Sequence, residues 1–163
     1  MQATTKKIFI IGSTGLVGKH LVSQALERGF HVTALARDSS ALDIKNEKLT
    51  VIKGEVGDLE LLEKHFAGQD AILSSLGGPS PKEGYPSIRT EGAKNVIKAC
   101  EKTGVKRFLV VTGASLLRID DIKRLYELPG LPEWLVKVNV DYKGVWDASQ
   151  QPIWIGPFSV LQR

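Results

Sequence analysis

Cysteine is almost missing from the 163-residue sequence, where Cys100 stands alone. A single thiol excludes an intramolecular disulfide and any cysteine-rich metal centre, and it suits a reducing compartment. An excess of one charge is missing as well: 22 Lys plus Arg face 18 Asp plus Glu, and the net +4 is dispersed along the chain. No run of five basic residues occurs, so the basic footprint of a nucleic-acid binder is absent. A phosphate-bearing cofactor satisfies so small a positive excess. The N-terminus lacks a long hydrophobic run. Ile8-Phe-Ile-Ile11 is four residues long, too short for the roughly 7–15-residue centre of a signal peptide or a membrane span of about 20. These absences predict a cytoplasmic chain without a membrane or nucleic-acid partner.

With 42% hydrophobic residues the chain has enough apolar material for a core, and its length predicts one domain over residues 1–163. Short β-branched runs alternate with helical patterns. Strands are expected at Ile8–Ile11, His31–Ala36, Leu49–Ile52, Asp70–Ser75, Lys106–Val111 and Ile153–Ile155. Between them lie helices marked by Val17, Leu21, Val22, Ala25 and Leu26, by Leu59, Leu62 and Phe66 behind a capping Asp58, by Ile88, Gly92, Val96, Ala99 and Cys100, and by the stretch Trp134–Ala148. This order predicts an α/β fold, a doubly wound parallel sheet of Rossmann type in three α/β/α layers.

The segment Ile11-Gly-Ser-Thr-Gly-Leu-Val-Gly18 carries the most chemistry. It follows a strand and opens a helix, and its glycines are spaced G-x-x-G-x-x-G. Such a turn needs a tight bend at Gly12, close backbone approach to a pyrophosphate at Gly15, and close helix packing at Gly18. Ser13, Thr14, Leu16 and Val17 fill the turn and the helix start, whose free N–H groups and positive dipole end suit phosphate. After the second strand comes Arg37-Asp-Ser-Ser40. A cation at this place suits the 2′-phosphate of NADP, whereas an acidic residue suits the ribose of NAD. Arg37, supported by the hydroxyls of Ser39 and Ser40, therefore argues for NADP(H), with Asp38 on the ribose as the alternative. At later strand ends, Glu55 is placed to accept the adenine amino group and Val56 to pack on the ring. Gly77 and Gly78 leave room near the second ribose and the nicotinamide, with a flexible loop start as the alternative for Gly78, and Thr112-Gly113-Ala114-Ser115 closes the fifth strand.

From Lys6 to about Leu117 these residues resemble the atypical short-chain dehydrogenase/reductase family, the NAD(P)H-binding and NmrA-like group, most closely its biliverdin-IXβ reductase/flavin reductase branch. The motifs that carry the resemblance are Ile11–Gly18, Leu35–Ser40, Ala67–Ile72, Thr90–Val96 and Gly104–Phe108. The resemblance implies a Rossmann-type fold, NADP(H), and cofactor roles for Thr14, Arg37, Glu55, Leu76 and Gly77. Glu55 stands where the branch has Asp. Gly113 replaces the middle residue of the branch's Thr-Ser-Ala, which leaves Thr112 and Ser115 as the candidate catalytic hydroxyls. Gly156-Pro157-Phe158 replaces its Pro-Pro-His, with Pro157 retained at the cofactor. Measured against the same family, the single domain over residues 1–163 is expected to lack the usual C-terminal strand and helix.

The Tyr-x-x-x-Lys pair of the wider superfamily does not occur in the sequence. Alcohol oxidation therefore has no evident acid–base catalyst. Hydride transfer to an electron-poor conjugated acceptor needs less, because solvent can deliver the proton. The expected function is an NADPH-dependent reductase acting on a flavin, quinone or tetrapyrrole-like small-molecule acceptor. The alternative is a non-catalytic NADP(H) sensor of NmrA-like type. Without a sustained apolar heptad the chain is expected to be a monomer or a weak homodimer.

Overall fold

The computed structural model describes residues 6–77, 88–113, 116, 124, 127–149 and 158–162. Its strands are β1 (Lys7–Ile11), β2 (His31–Ala36), β3 (Leu49–Lys53), β4 (Ala71–Ser74), β5 (Phe108–Thr112) and β6 (Phe158–Gln162). The helices are α1 (Leu16–Glu27), α2 (Leu59–Phe66), α3 (Ile88–Thr103) and α4 (Glu133–Ser149). The strand pairings are parallel, in the order β3-β2-β1-β4-β5-β6. The expected doubly wound sheet is thus the observed one.

Strands buried on both faces must be apolar at successive positions, and β1 shows how the alternation is used. Phe9 and Ile11 enter one core with Leu62 and Phe66 of α2, Val96 and Cys100 of α3, and Val145 of α4. Ile8 and Ile10 enter the other core with Val22, Ala25 and Leu26 of α1. The two aromatic rings Phe9 and Phe66 meet edge to face at 4.9 Å. Asp58 caps α2 as its sequence position suggests, accepting from Leu61 N at 3.0 Å. Among the described residues no helix is long and apolar enough to cross a membrane.

The last strand is Phe158–Gln162, in register with β5 from Phe108↔Phe158 to Thr112↔Gln162, whereas Ile153–Ile155 lies outside the described residues. The carboxyl end of the sixth strand is therefore at Gln162.

α3 and α4 are joined by a buried ion pair. Arg89 Nη1 lies 2.7 Å from Asp141 Oδ2, with side chains 7% and 2% exposed. Thr90 N donates to Asp141 Oδ1 at 3.3 Å, so the carboxylate on α4 also serves the first turn of α3. The Arg89 guanidinium lies 5.1 Å from the centre of the Tyr142 ring. Removing one partner leaves a buried charge uncompensated. Asp141→Ala should cost about 3–5 kcal/mol in urea unfolding, while the double change Asp141→Leu with Arg89→Met should cost clearly less; equal losses would contradict the charge-burial explanation. Burial, with Glu101 adding to it, pushes the Cys100 thiol up to about 12. At pH 8 a thiol reagent should therefore modify the unfolded chain and leave the native chain unmodified.

Candidate functional site

The strand order reverses direction between β1 and β4. Connections leaving their carboxyl ends diverge to opposite faces of the sheet, which opens a crevice there. A cavity of about 720 Å³ occupies it. Its floor is the β1–α1 turn. Gly12 has φ +75°, and a Cβ on it would lie 2.7 Å from Ser75 O. A Cβ on Gly18 would lie 1.9 Å from Gly12 O, so α1 is set directly against the turn. Ser75 N donates to Ile11 O at 2.9 Å, tying the end of β4 to the end of β1.

The start of α1 has no internal compensation. Gly15 is its N-cap and makes no side-chain cap, and the first turn carries no acidic residue. α2, by contrast, has both a capping Asp58 and Glu60. The first-turn amides of α1 thus stand at the cavity end with their positive dipole unneutralised.

The remaining walls come from other strand ends and from α3. Arg37 follows β2 and is exposed on the cavity rim. Asp38 turns back on its own loop, where its Oδ1 accepts from Ser40 N at 2.9 Å and Ser40 Oγ at 2.7 Å. Those bonds, from the hydroxyl first and then the amide, hold its carboxyl below the usual range. Glu55, Val56 and Gly57 follow β3, and Ser75, Leu76 and Gly77 follow β4. α3 contributes Ile88, Glu91, Gly92 and Asn95, a stripe at helical spacing.

Of the residues singled out from sequence, Gly12, Thr14, Gly15, Leu16, Val17, Arg37, Glu55, Val56, Leu76 and Gly77 converge on this one cavity. Others do not line it. Ser13 is fully buried and donates its Oγ to Leu35 O at 2.7 Å, bracing the turn against β2. Asp38 and Ser39 belong to a short 3-10 turn behind Arg37. Thr112, at the carboxyl end of β5, is 5% exposed and its Oγ1 has no hydrogen-bond partner among the described residues, while Gly113 follows it. Gly78, Ser115 and Pro157 lie outside the described residues. The α3 stripe is the part that strand-end reasoning overlooks. Its signal is present in Ile88, Gly92 and Asn95, where a glycine and an amide interrupt an otherwise apolar helix face.

The family model described as NAD(P)H-binding matches residues 12–136. A 3-beta-hydroxysteroid dehydrogenase of Mycolicibacterium neoaurum is 32% identical over 68% of this chain and 33% of its own. The chain thus spans about a third of that curated relative's length. Among solved structures, a Bacteroides thetaiotaomicron protein provisionally assigned as an epimerase superposes with a TM-score of 0.82 at 28% identity, covering 98% of this chain and 71% of that one. A Streptococcus pneumoniae protein provisionally assigned as an NADH-flavin reductase gives 0.74 at 25% identity, with coverages of 96% and 71%.

The geometry of the turn ranks its glycines. Gly18→Ala should destabilise the protein by roughly 2–3 kcal/mol or prevent folding, since the clash is with backbone. Gly15→Ala, whose Cβ would sit 3.3 Å from Gly12 O, should cost about 1 kcal/mol or less. Urea midpoints of the two variants test the ranking, and a reversed order would overturn it.

Proposed function

The chain belongs to the NAD(P)H-binding family, and from that premise we propose that it is an NADPH-dependent reductase delivering hydride to a flat conjugated acceptor such as a flavin or quinone. The observation that carries this reading is the cavity onto which the glycine turn, the uncapped start of α1 and Arg37 converge. The residues present fit a dinucleotide. Close backbone approach at Gly12 and Gly18 leaves no room for side chains beside the turn, and the amides of the first turn of α1 are available to a pyrophosphate.

Arg37 favours the 2′-phosphate form. Its guanidinium matches phosphate oxygens in a bidentate manner. The rival for that place, Asp38, is engaged by Ser40. Glu55 and Val56 would meet the adenine, and Leu76 and Gly77 the middle of the ligand. Thr112 is the candidate hydroxyl at the nicotinamide end, because its buried Oγ1 has no partner among the described residues. NADPH supplies the hydride, and this chain's part is to bind, orient and shield the ring. With no Tyr-x-x-x-Lys pair in the sequence, an acceptor that takes its proton from solvent suits the chemistry. Similarity to the Streptococcus pneumoniae protein assigned to flavin reduction supports the same acceptor class.

Purified protein mixed with NADPH and FMN, or with a quinone, should consume NADPH above a buffer control. Arg37→Ala should weaken NADPH binding roughly tenfold to a hundredfold and leave NADH binding nearly unchanged. An equal loss for both cofactors would sink the assignment of Arg37. Absence of turnover with every acceptor, together with equal affinity for NADP⁺ and NADPH, would replace the reductase by the NmrA-like sensor.

A further inference from the structure

Asn95 stands midway along α3, where asparagine is a poor helix former because its amide competes with the backbone. Here the amide is committed elsewhere. Nδ2 donates to Val56 O at 3.2 Å and to Gly57 O at 3.4 Å. Those carbonyls belong to the turn after β3, which is closed by a backbone bond from Asp58 N to Glu55 O at 3.1 Å. The Asp58 end of the turn is tied to α2, its side chain accepting from Leu61 N at 3.0 Å and its carbonyl from Leu62 N at 3.1 Å. Its Val56–Gly57 part leans on α3 through Asn95. One helical turn earlier, Gly92 allows that approach: a Cβ there would lie 2.8 Å from Leu76 Cδ1 and 3.1 Å from Val56 Cγ1. Gly57 has open space on its other side.

We propose that Asn95 is a positioning residue for the base-binding wall, holding the Glu55–Asp58 turn where Glu55 and Val56 meet the adenine. The proposal rests on the reading of the cavity as an NADPH site. Asn95 acts through the turn, so its loss should be felt by one half of the ligand only. Phosphate contacts at the start of α1 and the nicotinamide end beyond Gly77 do not depend on it.

The test compares two ligand fragments by calorimetry. 2′,5′-ADP carries the adenine and the 2′-phosphate, and reduced nicotinamide mononucleotide carries neither. Asn95→Ala should weaken 2′,5′-ADP about tenfold while the mononucleotide stays within about twofold of wild type. Asn95→Asp keeps the shape but cannot donate to two carbonyls, so it should be impaired at least as much and provides a second variant should the alanine form not fold. A general loosening of the fold would lower both affinities together. Equal loss for the two fragments, or no loss for either, overturns the proposal while NADPH binding by the wild type keeps the underlying reading. Wild-type protein that binds neither NADPH nor 2′,5′-ADP overturns the reading and the proposal with it.

Discussion

The structure depends on backbone meeting backbone where β1, α1 and β4 converge. A Cβ on Gly18 would come within 1.9 Å of Gly12 O, and one on Gly12 within 2.7 Å of Ser75 O. At these separations no side chain can be accommodated, so the start of α1 is fixed in direction as well as in place. Everything that lines the cavity is referred to that point. β1 pairs with β2 on one side and β4 on the other, and the ends of these strands inherit their height from it. Ser13 and Ser75 reinforce the arrangement, the first through its hydroxyl on Leu35 O and the second through its amide on Ile11 O.

The two cores then set how much each wall can move. β1 sends alternate residues to opposite faces, and its neighbours likewise pack into these two cores, which makes the strands rigid supports for the loops at their ends. The short loops around the cavity are held by polar attachments: Asp38 to Ser40 behind Arg37, Asp58 to Leu61 beneath Glu55, and Asn95 to Val56 and Gly57. The Arg89–Asp141 pair extends this logic to α3 itself, because it anchors the first turn of the helix whose next residues line the cavity. A buried ion pair is weak evidence for net stability. What it does geometrically is join the first turn of α3 to the middle of α4.

Legibility in the sequence follows the range of the interactions involved. Elements governed by local pattern are readable: β2 falls at His31–Ala36 and the α2 cap at Asp58, as alternation and capping chemistry indicate. The glycine turn is readable because its demands are local and steric. The strand at Phe158–Gln162 is not readable from local pattern, since what defines it is pairing with β5, a contact about 50 residues distant. The same limit explains the site. Topology alone finds the residues at strand ends, whereas Ser13 and Asp38 are expected on the ligand side because sequence does not reveal which way a short polar side chain turns. Ser13 spends its hydroxyl on the backbone of β2, and Asp38 spends its carboxylate on Ser40. The α3 stripe escapes such reasoning because it reaches the cavity from the following helix and not from a strand end.

The cavity's polarity gives the last constraint on what it can hold. Donors come from the first amides of α1 and the Arg37 guanidinium, and no carboxylate in the first turn of α1 offsets them. Acceptors come from Glu55 and Glu91, which line the walls contributed by β3 and α3. An anion alone would use only the donors and would be repelled by the carboxylates; a cation would meet the reverse. The proposed dinucleotide uses both, with its phosphates toward the start of α1 and its amino-bearing base toward Glu55, where Val56 would pack on the ring. Apolar packing supplies affinity at the base, and the polar contacts fix orientation. For the hydride donor proposed above, orientation is the requirement, because a ring held at the wrong depth cannot present its reactive face.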